Sequence, residues 1–171
     1  MSTLTRILIC WLIVLTTCCS VGCAGYHLGN QFLYRNDIRT VHVAMFESDS
    51  FRRFLGQRTT EAVIKEVELS TPLTITNPQI ADSFIRGRII QERKSVVGEN
   101  RFDEARSVGV GWVVEVDWVD RAGTPLMQRQ TVRISEDAVF IPEGGQSLTT
   151  AQQEVIERVA RQTVSQMQTP W

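Results

Sequence analysis

The chain has 171 residues, enough for one domain, and its 18 basic and 19 acidic side chains leave a net charge of −1. That balance argues against a general nucleic-acid-binding protein, because contacts with phosphates require a basic surplus. All four cysteines precede residue 24, so a disulfide framework is excluded after that point, and that part of the chain must depend on its apolar core.

Residues 1–22 have the pattern of a secretory leader. One cation, Arg6, precedes the apolar run Ile7–Leu15, and small residues follow that run. This order of charged, apolar and small-residue segments is typical of a signal peptide. The run is too short to cross a bilayer comfortably, which takes about 20 apolar residues. We therefore predict a lipoprotein signal peptide over 1–22, with an uncleaved signal anchor as the alternative.

Cys23 is the predicted site of lipid attachment, because valine and glycine directly precede it and lipoprotein processing needs small residues there. Cys18 and Cys19 remain alternatives, since Ser20 stands where leucine is usual. An ordinary secreted protein with a free thiol is a further alternative. Several acyl chains on one cysteine would anchor the protein durably, at about 0.8 kcal/mol per buried methylene. Ala24 follows the cysteine, as in lipoproteins exported to the outer membrane.

The chain after the leader divides into a tether and a folded part. Residues 23–36 are predicted to be a lipidated tether, and residues 37–171 one α/β domain. Ile38–Phe46 alternates between inward and outward positions, which predicts a strand. Three residues would face the core from this strand: Val41, Val43 and Met45.

A helix is predicted after this strand. Ser48-Asp49-Ser50 is the kind of cluster at which helices begin, and apolar residues then recur at roughly helical spacing over Phe51–Leu69. Thr71-Pro72 ends the helix, because proline cannot continue it and restricts the residue before it. Leu73–Thr76 is predicted to be a short strand, followed by a turn at Asn77-Pro78.

A strand with arginines on one face is predicted over Ala81–Gln91. Ile85 and Ile89 would face the core, whereas Arg86 and Arg88 would face outward. The stretch from Arg93 to Arg106 is rich in charge, and we predict a polar connection there.

The clearest strand pattern covers Val108–Val119, where every even position up to 118 is valine or tryptophan. Leu126–Ile134 is predicted to return beside it as a hairpin partner. Thr150 and Gln153 resemble a capping box, and a helix with a single buried stripe follows. The stripe consists of Gln152, Val155, Ile156, Val159, Ala160, Thr163, Val164 and Met167.

The order of elements predicts an α+β fold built as a two-layer sandwich. We expect a four-stranded, mostly antiparallel sheet with two helices packed on one face. The other face of the sheet would be partly polar and open to solvent or to a partner.

No pattern of residues predicts catalysis or metal binding. Only His27 and His42 could join a metal site, and no cysteine accompanies them after residue 23. A Gly-x-Ser-x-Gly elbow and a phosphate-binding loop are both missing from the sequence. Glu115 and Asp117 project the same way and could act as an acid–base pair, although charges on an exposed strand are usually just solvated. We predict a protein that is not an enzyme and has no cofactor or metal.

Several segments together resemble the LptE family of lipopolysaccharide-assembly lipoproteins. The segment Cys23-Ala24-Gly25-Tyr26-His27-Leu28 is similar to the start of the mature family members. Ile38–Phe46 resembles the family's first strand, and Ala81–Ile89 resembles a strand of alanine-aspartate, apolar, glycine and apolar residues. The terminal helix, with Ala160 on its stripe, also fits. The resemblance covers essentially the whole chain after the leader.

The resemblance implies an outer-membrane lipoprotein that serves as the accessory plug of an LptD-type β-barrel and contacts lipopolysaccharide. It would lie on the periplasmic side or in the barrel lumen, whose polar interior a two-layer domain could fill. Arg86, Arg88 and Arg93 are candidate contacts for lipid phosphates through charge-assisted bonds, and a solvated sheet face is the alternative. Other possible functions are an envelope structural or binding lipoprotein with a different protein partner, and an envelope hydrolase.

Overall fold

The computed structural model describes residues 33–50, 52, 54–99 and 105–168, so the predicted signal peptide and Cys23 lie outside the described residues. Six strands, two helices and a 3₁₀ turn follow one another along the described part of the chain. They are β1 (Thr40–Val43), β2 (Glu47–Ser48), α1 (Leu55–Ser70), β3 (Thr74–Ile75), β4 (Ser83–Glu99), β5 (Ala105–Asp120), β6 (Val132–Phe140), a 3₁₀ turn (Pro142–Gly144) and α2 (Leu148–Gln166).

Within the described residues the sheet is mixed and has six strands, in the order β3-β1-β4-β5-β6 with β2 also beside β4. β1 is parallel to β3 and β4, and β2 is parallel to β4. β4, β5 and β6 form an antiparallel meander. The α+β class is therefore confirmed, but the predicted four-stranded sheet has too few strands. β2 and β3 have two residues each, too few for an alternation from which pairing could be predicted.

Both helices cover the same face of the sheet, and the core lies between the two layers. The even positions of β5 from Val108 to Trp118 are all buried there, as predicted. Every residue of the stripe predicted for α2 is buried as well. The apolar residues recur every second position in the strand and about every 3.6 positions in the helix. Both sets lie in one core, because each element buries a single face.

Phe46, rather than Met45, fills the core next to β1. The strand ends at Val43, so the predicted alternation stops before Met45, whose side chain is 69% exposed. A Cβ atom on Gly87 would lie 2.0 Å from Phe46 Cε1, and one on Gly56 would lie 2.1 Å from the Phe46 carbonyl oxygen. The two glycines therefore permit the close approach of residue 46, which the strand pattern did not predict.

The two helices begin at other residues than predicted. α1 begins at Leu55 after Phe54, whose φ of 63° is left-handed, whereas Ser48–Ser50 forms the end of β2 and a turn. α2 is capped by Ser147, whose Oγ accepts the Thr150 N–H at 3.1 Å, so Thr150 is the wrong cap. Ser147, Thr149 and Thr150 lie close together in sequence, and the sequence alone does not distinguish which of them caps the helix.

β4 and β5 extend through much of the region predicted to be a polar connection. β4 continues to Glu99 and β5 begins at Ala105. The pairing partner of β5 is Val132–Phe140, so the predicted strand over Leu126–Ile134 lies too early. The polar sequence after Arg93 predicted a loop rather than a strand. The far part of β4 is nevertheless a strand, because it is exposed on both faces and needs no apolar pattern.

Candidate functional site

The face of the sheet opposite the helices, here called the open face, carries the predicted arginines. Arg86 lies across from Asp117, and Arg88 across from Glu115. Both arginines are exposed, as predicted. Arg133 on β6 adds a further cation on the other side of Glu115. The open face is therefore a field of alternating positive and negative charges.

A β-bulge at Ile90 brings Arg93 to the same face. The register passes from Ile89 to Gln91 while the partner strand advances by one residue, so Ile90 is an extra residue. Arg93 consequently lies across from Gly111 on the open face. Simple alternation from Ile89 would have placed Arg93 on the helix side. The structure thus brings all three candidate arginines onto one face.

The three arginines differ in how they are held. Arg88 Nη2 donates to Asp49 Oδ1 at 3.0 Å, and this carboxylate raises the pKa of Arg88. Arg93 Nη2 donates to Ser135 Oγ at 3.1 Å. Arg86 has no hydrogen-bond or ion-pair partner among the described residues. Its guanidinium is therefore the readiest of the three to bind an anionic ligand.

A groove of about 320 Å³ on the open face lies beside Arg86. Guanidinium donors and carboxylate acceptors line it together. Within the described part of the chain, Asp117 Oδ1 is buried without a hydrogen-bond partner. Such a lining suits a polar ligand that carries both anionic groups and hydroxyl donors. The lining residues relevant here are Met45, Glu47, Arg86, Arg88, Glu115 and Asp117.

The open face does not have the geometry of an acid–base site. Glu115 accepts a hydrogen bond from Arg133 Nη2 at 2.6 Å, so an ion pair engages this carboxylate. Over the described ranges, no three His, Cys, Asp or Glu side chains come together in a way that could hold a metal.

Two glycines on the open face of β5 were missed as a structural feature. Gly109 and Gly111 let side chains of β4 and β6 lie close to the backbone of β5. A Cβ atom on Gly109 would lie 3.1 Å from Val97 Cγ2, and one on Gly111 would lie 3.0 Å from Asp137 Cβ. Paired glycines inside a strand pattern indicate such close approach, and this was the signal available in the sequence.

The helices give no sign of a membrane span. Neither α1 nor α2, the two helices of the described residues, is both long and apolar enough to cross a bilayer.

The LptE family, described as lipopolysaccharide-assembly, matches residues 38–169. The chain belongs to the LptE family. This confirms the resemblance seen in the sequence. It also confirms the prediction that the protein is not an enzyme, since LptE proteins are non-enzymatic lipopolysaccharide-assembly lipoproteins of the envelope.

Solved structures show the same fold at low sequence identity. Lipoprotein B from Nitrosomonas europaea has a TM-score of 0.50 at 14% identity, covering 82% of this chain and 90% of that one. A hypothetical protein from Chlamydia trachomatis has a TM-score of 0.50 at 11% identity, with coverages of 75% and 94%. A protein from Xanthomonas campestris has a TM-score of 0.52 at 8% identity, with coverages of 81% and 86%. No curated protein sequence matches this LptE-family chain.

Proposed function

We propose that this LptE-family protein is the accessory subunit of an outer-membrane lipopolysaccharide translocon. A lipid on Cys23 anchors it, and it sits as a plug in an LptD-type β-barrel. The family match over residues 38–169 is the observation that carries the proposal. The charged open face supports it, because the interior of a large barrel is polar and keeps such charges hydrated.

The open face is the proposed contact surface for lipopolysaccharide. Arg86 meets a lipid phosphate first, because it has no partner to give up among the described residues. Arg88 and Arg93 would exchange Asp49 and Ser135 for phosphate oxygens. Guanidinium–phosphate bonds are charge-assisted and often bidentate, so they compensate well for these exchanges.

Affinity purification of the full-length chain from native membranes in mild detergent tests the barrel partnership. We expect one large β-barrel protein to copurify in a fixed ratio, identified by mass spectrometry. If no barrel copurifies, the translocon proposal is wrong. A different stoichiometric partner would favour the alternative of an envelope lipoprotein that works with another protein.

Charge reversal tests the lipid contact separately. Arg86→Glu with Arg88→Glu should weaken lipopolysaccharide binding by the full-length protein roughly tenfold, because phosphate contacts turn repulsive. Arg161→Glu together with Arg129→Glu is a matched control, since both residues are exposed and lie outside the open-face strands. Equal binding by the two double variants would remove the open face from the lipid contact.

A further inference from the structure

The outer edge of β4 becomes free halfway along the strand. β1 pairs with β4 only at Ser83–Ile85, and β2 only at Arg88–Ile89. Ser50 Oγ then donates to Glu92 Oε2 at 2.7 Å, and Arg52 forms an ion pair with the same carboxylate. Beyond this point no described strand lies on that side of β4. We call Arg93–Glu99 the free edge; it is roughly 20 Å long at the usual rise per residue.

The register shows which backbone groups point out of the free edge. The Trp118 carbonyl accepts the Leu126 N–H at 2.8 Å on the β6 side, so even-numbered β5 residues direct their backbone groups away from β4. Arg93 and Ser95 lie across from odd-numbered residues and bond to β5. Lys94 and Val96 lie across from even-numbered β5 residues, so their backbone N–H and C=O groups point out of the free edge.

The ends of the described chain lie far from the free edge. Tyr34 lies close to Gln168, and Arg35 lies within electrostatic reach of Asp120. Asp120 pairs with the first residue of β4, whereas Val108 pairs with Val96. Twelve residues of strand, roughly 40 Å, separate these two positions. An extended segment of another molecule can therefore reach the free edge without displacing any described segment of this chain.

The side chains of the free edge specify the chemistry of that polypeptide. Arg93 and Lys94 come first, and then Val96 and Val97, which are 51% and 59% exposed. A second copy paired antiparallel about Lys94, or about Ser95, would set Lys94 against Lys94 or against Val96, and neither arrangement joins a cation to a carboxylate. Pairing centred on Val96 would have to run through the register shift between Val96 and Gly98, which interrupts the ladder. Carboxylates opposite the cations and β-branched or aromatic residues opposite the valines would each add a favourable cross-strand pair.

We propose that the free edge is a strand-addition site for an extended segment of another protein, in which acidic residues neighbour β-branched or aromatic ones. The backbone of that segment hydrogen-bonds to Lys94 and Val96, and its side chains provide the selectivity, as in other cases of strand addition. The inference does not depend on the partner proposed above, and its first test uses no β-barrel.

Hydrogen exchange of the full-length chain in detergent tests the proposal, with a synthetic peptide of alternating glutamate and valine as the probe. The amides of Lys94 and Val96 should exchange roughly tenfold more slowly with this peptide bound. Those of Arg93 and Ser95 already bond to β5 and should not change. A peptide with lysine in place of glutamate is the matched control and should have no effect.

A proline variant tests the same site from the side of the protein. Val96→Pro removes the backbone N–H group that points out of the free edge and leaves the hydrogen bonds between β4 and β5 in place. Edge strands tolerate a proline at such a position. Val96→Ala keeps the N–H group and is the control. We expect Val96→Pro to abolish the slowing at Lys94 and Val96→Ala to retain it.

Three results would overturn the proposal: no slowing with the glutamate peptide, equal slowing with both peptides, or undiminished slowing in folded Val96→Pro. The first or the third would mean that Arg93 and Lys94 only protect an exposed edge against aggregation. The second would mean that the edge binds a strand without selecting acidic residues. The exchange pattern of the unmodified protein decides the question even if the proline variant does not fold.

Discussion

Asp82 fastens the start of β4 to β1 through Thr40. Its Oδ2 accepts the Thr40 hydroxyl at 2.7 Å and the Thr40 N–H at 3.0 Å, and the Asp82 N–H donates back to Thr40 Oγ1 at 2.9 Å. The hydroxyl donor, followed by the backbone donors, holds the pKa of Asp82 below its ordinary value of 3.8. A lowered folded-state pKa stabilises the protein above the unfolded-state pKa, and this contribution is lost as the pH falls through the folded-state value.

Asp82→Asn should therefore flatten the acid side of the stability profile. Between about pH 5 and about pH 2, the free energy of unfolding of the variant should fall less steeply than that of the unmodified protein. Urea unfolding at a series of pH values measures both profiles. Thr40→Val removes the hydroxyl donor and should have the same effect in a weaker form. Parallel profiles for all three proteins would contradict the assignment.

The space above Gly87 is occupied by the Phe46 ring. Gly87→Ala should lower the free energy of unfolding by about 1–3 kcal/mol, because the new methyl group overlaps a buried ring that cannot easily move. Gly144→Ala is a suitable control, since its Cβ would approach no described atom closer than 3.6 Å. Phe46→Leu in the Gly87→Ala background should recover part of the loss. Additive effects in urea unfolding would argue against the clash.

At the scale of elements, the sequence predicted β5 and α2 well because each repeats its apolar positions over several turns or pleats. It could not predict the β-bulge, because Ile90 is as apolar as Ile89 and an extra residue leaves no mark on composition. That bulge decides which face Arg93 occupies, so part of the candidate site depends on geometry rather than on pattern. The pairing of β2 and β3 could not be predicted either, because two residues in each strand are too few to show an alternation.

The start of α2 gives a direct test of cap assignment. Ser147→Ala should lower the free energy of unfolding by about 1 kcal/mol, since the Thr150 N–H loses its acceptor. Thr150→Ala should have a smaller effect, because it removes only a contact between two hydroxyls at 2.9 Å. Chemical denaturation of both variants decides between them. A larger loss for Thr150→Ala would favour the cap predicted from the capping-box pattern.

For the whole molecule, the two-layer fold and the family could be reached from sequence, because the order of strands and helices carries both. The partner could not be predicted in the same way, since the open face and the free edge follow from strand pairing that no single segment encodes.

The Cys23 anchor stays a prediction. Cys23→Ala should move the protein from the membrane to the soluble fraction, because about 0.8 kcal/mol per methylene is lost with the acyl chains. Retention in the membrane would indicate Cys18, Cys19 or a signal anchor.

Because Tyr34 lies close to Gln168, the N-terminal side of the described chain lies beside the end of α2. The paired strands β4 and β5 extend away from this point. With a lipid on Cys23, as predicted, Leu33 would lie at most about 36 Å from the point of attachment, because the intervening residues reach no further. A spin label at Ser95 would thus report whether the molecule stands upright or lies flat on the bilayer.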